Sequence, residues 1–203
     1  MHTIAILSSD RHTANNSHFI MAASKAGNLT NAHIGLVISN NSDAAILDVA
    51  KELAVPAYAI TKKDHGTMAA TEKAMSNLLR RNKVELVLLV GYIPKVSLIL
   101  LNAFPARILN FHPGPLPRFG GKGMISTAIQ RSILKEGVEY TGPTVHLVDE
   151  QYDHGQILAH WPLKVRPNDT PESLNERCNL AGRKLYVQVI NDFVYRLDHP
   201  NEF

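Results

Sequence analysis

The chain has one cysteine in 203 residues, Cys178, so it cannot close an internal disulfide. Its neighbours Glu176, Arg177 and Asn179 offer no paired thiol and no metal-ligand spacing, which leaves Cys178 as a plain helix residue. No apolar run reaches the 18 or so residues a spanning helix needs, and His2-Thr3-Ile4-Ala5 lacks the basic start of a signal peptide. A cytoplasmic protein without a membrane partner is expected. The ten histidines include no H-E-x-x-H or comparable two-ligand pattern, so no metal site is expected. Linkers, repeats and low-complexity tracts are also missing, and residues 1–203 read as a single domain. A net charge of +3 suits an anionic small molecule and does not establish nucleic-acid binding. The dense basic cluster Arg80-Arg81-x-Lys83 lies at a helix end, where cations complement the dipole.

What is present is a regular alternation. Strands at Thr3–Ser8, Ile34–Ser39 and Ala57–Thr61 alternate with helices over about 16–26, 42–53 and 66–82. Glu85 to Gly91 is apolar on both faces, as a central parallel strand covered by helices would be, and Arg107–Phe111 is its expected neighbour. Strands Thr141–Leu147 and Ile157–Val165 form an expected antiparallel pair across an acidic loop. Asp169-Thr170-Pro171-Glu172 opens a final helix to about Leu197. The expected fold is a doubly wound, mostly parallel α/β sheet, with its ligand crevice at the carboxyl ends of the strands.

One strand ends abnormally. In Ile108-Leu109-Asn110-Phe111-His112-Pro113-Gly114-Pro115-Leu116-Pro117, three prolines remove backbone donors directly after an amide and an imidazole. Asn110 and His112, two residues apart on extended backbone, point to the same side and can converge on one reacting atom. Downstream, Asp153 precedes Gly155 in a loop, where it either caps a turn or completes a site.

The motif Asn-Phe-His-Pro-x-x-Leu-Pro, followed by Thr141-Gly142-x-Thr144-Val145-His146 and Asp153-x-Gly155, resembles the folate-dependent formyltransferase family, nearest its glycinamide branch. The resemblance implies a Rossmann-like formyltransferase fold, 10-formyltetrahydrofolate as co-substrate and a primary amine as acceptor. By its motif positions, Asn110, His112 and Asp153 would be catalytic. Gly91, Tyr92, Ile93, Val96, Asp149, Glu150, Gln151 and Tyr152 would line the pterin pocket. Thr144 and His146 either touch the site or are core-side polar residues. Phe119-Gly120-Gly121-Lys122-Gly123-Met124 is either family structure beside the site or an ordinary helix start.

Two departures fall on the acceptor side. Ser8 to Ser17 replaces the glycine-rich phosphate loop of the glycinamide enzymes, leaving Arg11, Asn15, Asn16 and Ser17 as candidate substrate ligands. Gly182 stands where the family places a glutamate four residues before Tyr186, and a mid-helix glycine needs a reason such as close backbone or ligand approach. A different amine, a formyltetrahydrofolate hydrolase and a non-catalytic folate- or nucleotide-binding module therefore stay open as alternatives. The length leaves no room for the extra domain of the tRNA-directed branch.

Overall fold

The computed structural model describes residues 1–9, 14–125 and 127–202. In chain order the elements are β1 (His2–Ser8), α1 (Asn15–Lys25), β2 (Ala32–Ser39), α2 (Ala45–Glu52), β3 (Ala57–Ala59), α3 (Lys62–His65), α4 (Met68–Arg81) and β4 (Val84–Leu89). There follow α5 (Leu98–Ala103), β5 (Ile108–His112), α6 (Thr127–Glu136), β6 (Tyr140–Thr141), β7 (Thr144–Leu147), β8 (Ile157–His160), β9 (Leu163–Lys164) and α7 (Pro171–Asp198).

Seven strands form one sheet in the order β3-β2-β1-β4-β5-β7-β8. β1 to β5 run parallel; β7 and β8 are antiparallel to their neighbours. The strand order reverses between β1 and β4, which opens a crevice at their carboxyl ends. Strand alternation builds the two cores. Ile4, Ile6, Leu86, Leu88, Leu109 and Phe111 face α1, α2 and α7, whereas Ala5, Leu7, Val87, Leu89 and Ile108 face α4 and α5. Asn110 and His112 share the parity of Ile108, so they leave the sheet on the side opposite α7.

The expected elements are present, with local differences that have physical causes. The expected helix over 66–82 is α4, capped by Thr67, which accepts from Ala70 N at 3.1 Å; the short α3 before it is an addition, closed by Gly66 at φ 77°. The expected strands over 141–147 and 157–165 each break at a proline, Pro143 and Pro162, which cannot donate to a ladder. The inner halves extend the main sheet as β7 and β8; the outer halves pair separately as β6 and β9. α5 is an element that no sequence pattern announces. Its six residues are too few for a period to show, and it is started by Ser97, whose backbone N–H and hydroxyl both donate to the buried Glu72 carboxylate. α7 begins as expected, with Thr170 and Ser173 in a reciprocal capping box and Pro171 in the first turn. Among the described residues no helix is long and apolar enough to cross a membrane.

Candidate active site

β5 is the floor of the site. Its pairing with β4 sets Leu89 against Asn110, and its pairing with β7 sets Asn110 opposite His146 and His112 opposite Thr144. These two cross-strand pairs bring together polar side chains from two motifs more than thirty residues apart in the chain. Asp153 joins them from the loop after β7, in a left-handed conformation with φ 53° that Asp tolerates better than most residues.

The hydrogen bonds define how each group is held. His146 Nδ1 lies 2.8 Å from the Leu147 carbonyl, so this nitrogen carries the hydrogen and Nε2 is left as an acceptor. That acceptor takes a hydrogen bond from Asn110 Nδ2 at 3.0 Å. The other Asn110 hydrogen is held loosely, by Asp153 Oδ1 at 3.4 Å. Burial keeps the His146 ring below the ordinary imidazole range, against the opposing pull of the Leu147 carbonyl and the Asp153 charge. A neutral ring here fixes which way the Asn110 amide faces.

His112, only 3% exposed, sits between two acceptors. Nε2 donates to the Phe119 carbonyl at 2.8 Å, and Nδ1 lies 3.5 Å from Asp153 Oδ2. The same Asp153 oxygen accepts from Gly121 N at 2.9 Å. Burial alone would raise the Asp153 pKa; the hydrogen bond and charge of His112, with the Gly121 N–H and His146, outweigh it and hold the carboxyl below its usual range. Asp153 is therefore an anion that faces Asn110, His112 and His146 together.

The Phe119–Met124 segment is part of this site. It supplies a carbonyl to His112 and an N–H to Asp153, and α6 starts only afterwards, at Thr127. Gly120 lets it come so close, since a Cβ there would lie 2.8 Å from Asp153 Cβ. Thr144, fully buried, acts one step further out. Its hydroxyl donates to the Gly114 carbonyl at 2.8 Å and accepts from Leu116 N at 3.3 Å, which pins the proline loop.

The expected folate-side segments meet. A cleft of about 510 Å³ is lined by Lys95, Asp149, Glu150 and Gln151, and a neighbouring hollow of about 350 Å³ by Pro94, Lys95, Ser97 and residues of α4. The first volume lies within the range of small-ligand sites. Gly91 has φ 67°, and its carbonyl accepts from Ser9 N at 3.0 Å; Ser9 Oγ in turn donates to Asn40 and accepts from Ile93 N. Ile93 is 58% exposed and Val96 buried. The Tyr92 hydroxyl turns inward to Met75 Sδ, at 3.8 Å, and burial with the nearby Glu72 charge pushes its pKa up. The Tyr92 side chain is thus spent on α4. Tyr152 is exposed, and Asp149 closes its loop by pairing with His154 Nδ1 at 2.7 Å and accepting from Gln151 N.

On the acceptor side Arg11 lies outside the described residues. Asn15 is exposed at the start of α1, and Ser17 is buried, 1% exposed. The Asn16 side chain is already engaged by α7, accepting from Arg183 Nε at 2.9 Å and donating to Asn179 Oδ1 at 2.7 Å. No periodicity or motif singles out Arg183 beforehand. Gly182 has its reason in packing: a Cβ there would enter the Phe111 ring. Phe111 also stacks on Tyr186 at 6.1 Å, and the Tyr186 hydroxyl donates to the Leu109 carbonyl at 2.9 Å, tying α7 to the residue before Asn110.

This constellation can be set beside known proteins. Residues 2–190 match the Formyl transferase family model. The chain belongs to the formyl transferase family. Within that family it is 38% identical over 161 residues to the chloroplastic phosphoribosylglycinamide formyltransferase of Arabidopsis thaliana, covering 79% of this chain and 55% of that one. To phosphoribosylglycinamide formyltransferase of Bacillus subtilis strain 168 it is 32% identical over 163 residues, covering 80% and 81%. The chain thus spans little more than half the length of the Arabidopsis relative. The crystal structure of glycinamide ribonucleotide transformylase 1 from Symbiobacterium toebii superimposes with a TM-score of 0.87 at 32% identity, covering 95% of this chain and 87% of that one. The mostly parallel sheet, with its antiparallel β7 and β8, is the formyl transferase fold.

Proposed function

We propose that the chain transfers the formyl group of 10-formyltetrahydrofolate to a primary amine, with glycinamide ribonucleotide as the acceptor and purine biosynthesis as the setting. The observation that carries this reading is the convergence of Asn110, His112 and Asp153 beside a cleft bounded by Lys95 and residues 149–151. The names of the relatives support the acceptor. The cleft's size suits a flat pterin.

The amine nitrogen attacks the formyl carbon, and the carbonyl oxygen becomes an oxyanion. Asn110 Nδ2 supplies it a donor by exchanging the long Asp153 contact for the new one, while His146 holds the rest of the amide in place. His112 adds positive charge beside it when its ring carries both hydrogens. The new ammonium must lose a proton and the leaving folate nitrogen must gain one as its bond to the formyl carbon breaks. Asp153, ionised and shared among the three partners, moves that proton directly or through a water. Neither step consumes any other reactant.

The test follows loss of 10-formyltetrahydrofolate by absorbance, with and without glycinamide ribonucleotide, for the unsubstituted protein and His112→Ala. Acceptor-dependent turnover that the substitution abolishes is the expected result. Folate binding without turnover on glycinamide ribonucleotide would overturn the acceptor assignment.

A further inference from the structure

The turn that follows His112 has few donors of its own. Pro113, Pro115 and Pro117 carry no N–H, so the carbonyls of the turn must find partners elsewhere. Those of Pro115 and Pro117 accept from Phe119 N at 3.1 Å and from Gly120 N at 3.3 Å. The two carbonyls nearest His112 take side chains from other elements. Gly114 O accepts from the Thr144 hydroxyl of β7 at 2.8 Å, and Pro113 O accepts from Gln130 Nε2 of α6 at 2.6 Å.

Gln130 is held there at a cost. Its side chain is fully buried, and among the described residues its Oε1 has no hydrogen-bond partner. A buried glutamine with one end unpaired loses solvation that a methionine of similar size would not lose. The paired end does what a methionine could not: together with Thr144 it fixes two successive peptides of the turn, 113–114 and 114–115. α6 packs directly onto this stretch, since a Cβ on Gly114 would lie 2.6 Å from Ile129 Cγ2 and 3.3 Å from His112 Nε2. The turn then comes back to the imidazole. There the Phe119 carbonyl accepts from His112 Nε2 at 2.8 Å, and two residues on Gly121 N donates to Asp153. His112 therefore owes one of its two acceptors to the path of the chain between residues 113 and 119.

We propose that Gln130 is a positioning residue of the formyl-transfer site: by holding the Pro113 carbonyl it sets the turn that carries the Phe119 carbonyl to the His112 ring. This rests on the formyl-transfer reading above and adds to it a residue that acts through the turn rather than on the substrate. Without the Gln130 N–H the 113–114 peptide is free to rotate and the Phe119 carbonyl drifts from Nε2. The ring is then oriented by Asp153 alone. Such a change falls on the step that needs a fixed imidazole and not on the binding of either substrate.

Two substitutions separate positioning from packing. Gln130→Met keeps the length and volume of the side chain and removes both the donor and the unpaired Oε1, so the fold should be retained. Gln130→Glu offers a donor only while its carboxyl is protonated, a form that burial favours. Steady-state formyl transfer to glycinamide ribonucleotide and the NMR resonance of the His112 Nε2–H are measured for both variants and the unsubstituted protein. Gln130→Met should lower kcat about tenfold, leave the KM of each substrate within about twofold and move the Nε2–H resonance. The kcat of Gln130→Glu, taken as a ratio to that of the unsubstituted protein so that titration of His112 itself cancels, should recover as pH falls from about 8 to about 6. A side chain that only fills space would give a ratio flat in pH. In Gln130→Met, an unchanged kcat, a loss confined to KM or an unmoved resonance overturns the proposal, and so does a flat ratio in Gln130→Glu. If Gln130→Met does not fold, the ratio in Gln130→Glu decides. A resonance that moves in Gln130→Met and returns in Gln130→Glu at low pH, with no turnover even in the unsubstituted protein, sustains the positioning role and removes the formyl-transfer reading alone.

Discussion

The two halves of the crevice are built in opposite ways. On the Asn110 side, the polar groups come from neighbouring strands and the loops that follow them, and backbone atoms of residues 119 and 121 complete the network. On the α1 side, the contacts join residues 163 and 167 positions apart, through side chains alone. A site held by a ladder and a proline frame has its geometry set by backbone pairing. A site held by two helix faces has it set by how the helices pack, so it can change residue by residue while the chemistry beside it stays the same.

The largest effect that separates the halves should come from Asn110. Asn110→Ala is expected to lower kcat about 10²- to 10³-fold with little change in melting temperature, as loss of an oxyanion donor does. Single-turnover rates at saturating substrates check it, and a pure KM effect would remove the oxyanion role of Asn110. His146→Gln should be milder, about tenfold in kcat, because it frees the Asn110 amide without removing it.

Next comes the seam between the halves. Gly182→Ala should cost about 1–3 kcal/mol of stability by forcing the Phe111 ring to move, and Phe111→Leu in the same chain should restore part of it. Thermal melts of the two single variants and the double variant measure the coupling. Additive losses would mean that Phe111 does not fill the place of a side chain at 182.

Acid titration sharpens the comparison further. Asp153 has a folded pKa below its unfolded value, so its contribution to stability is present above about pH 4 and is lost as pH falls through the lower folded value. His146 is also depressed; its contribution is complete above about pH 6.5 and declines as pH falls below that. Asp153→Asn should flatten the acid limb of a stability–pH curve, and an unchanged limb would show that the carboxylate is not held by His112 and Gly121. The smallest effect is expected far from either half, where His2 lies between Glu85 and Asp198 at the opposite end of the sheet. His2→Gln should lower the melting temperature slightly at low salt and not at 1 M salt.

Most of the half proposed to react was legible beforehand as a cluster because its signals are local. Asn110 and His112 share a strand face by parity, the prolines mark the end of the strand, and the apolar run of β4 marks the centre of the sheet. His146 and Thr144 could not be decided in that way: alternation put them on one face of β7, but which face meets Asn110 depends on the register between β5 and β7. The role of the Phe119–Gly121 backbone was equally hidden, since a carbonyl or an N–H has no residue type to announce it.

By itself the sequence determined the alternating α/β order, the cap of α7, the rigid Asn110–His112 pair and the family resemblance, because each follows from spacing within a few residues. Only the tertiary structure decided that Gly182 makes room for Phe111, that Asn16 is spent on α7 and that Arg183 reaches the start of α1. Those are contacts between helices and strands far apart in the chain. Their partners are selected by the volume and charge left when the elements pack, and no local period encodes that remainder.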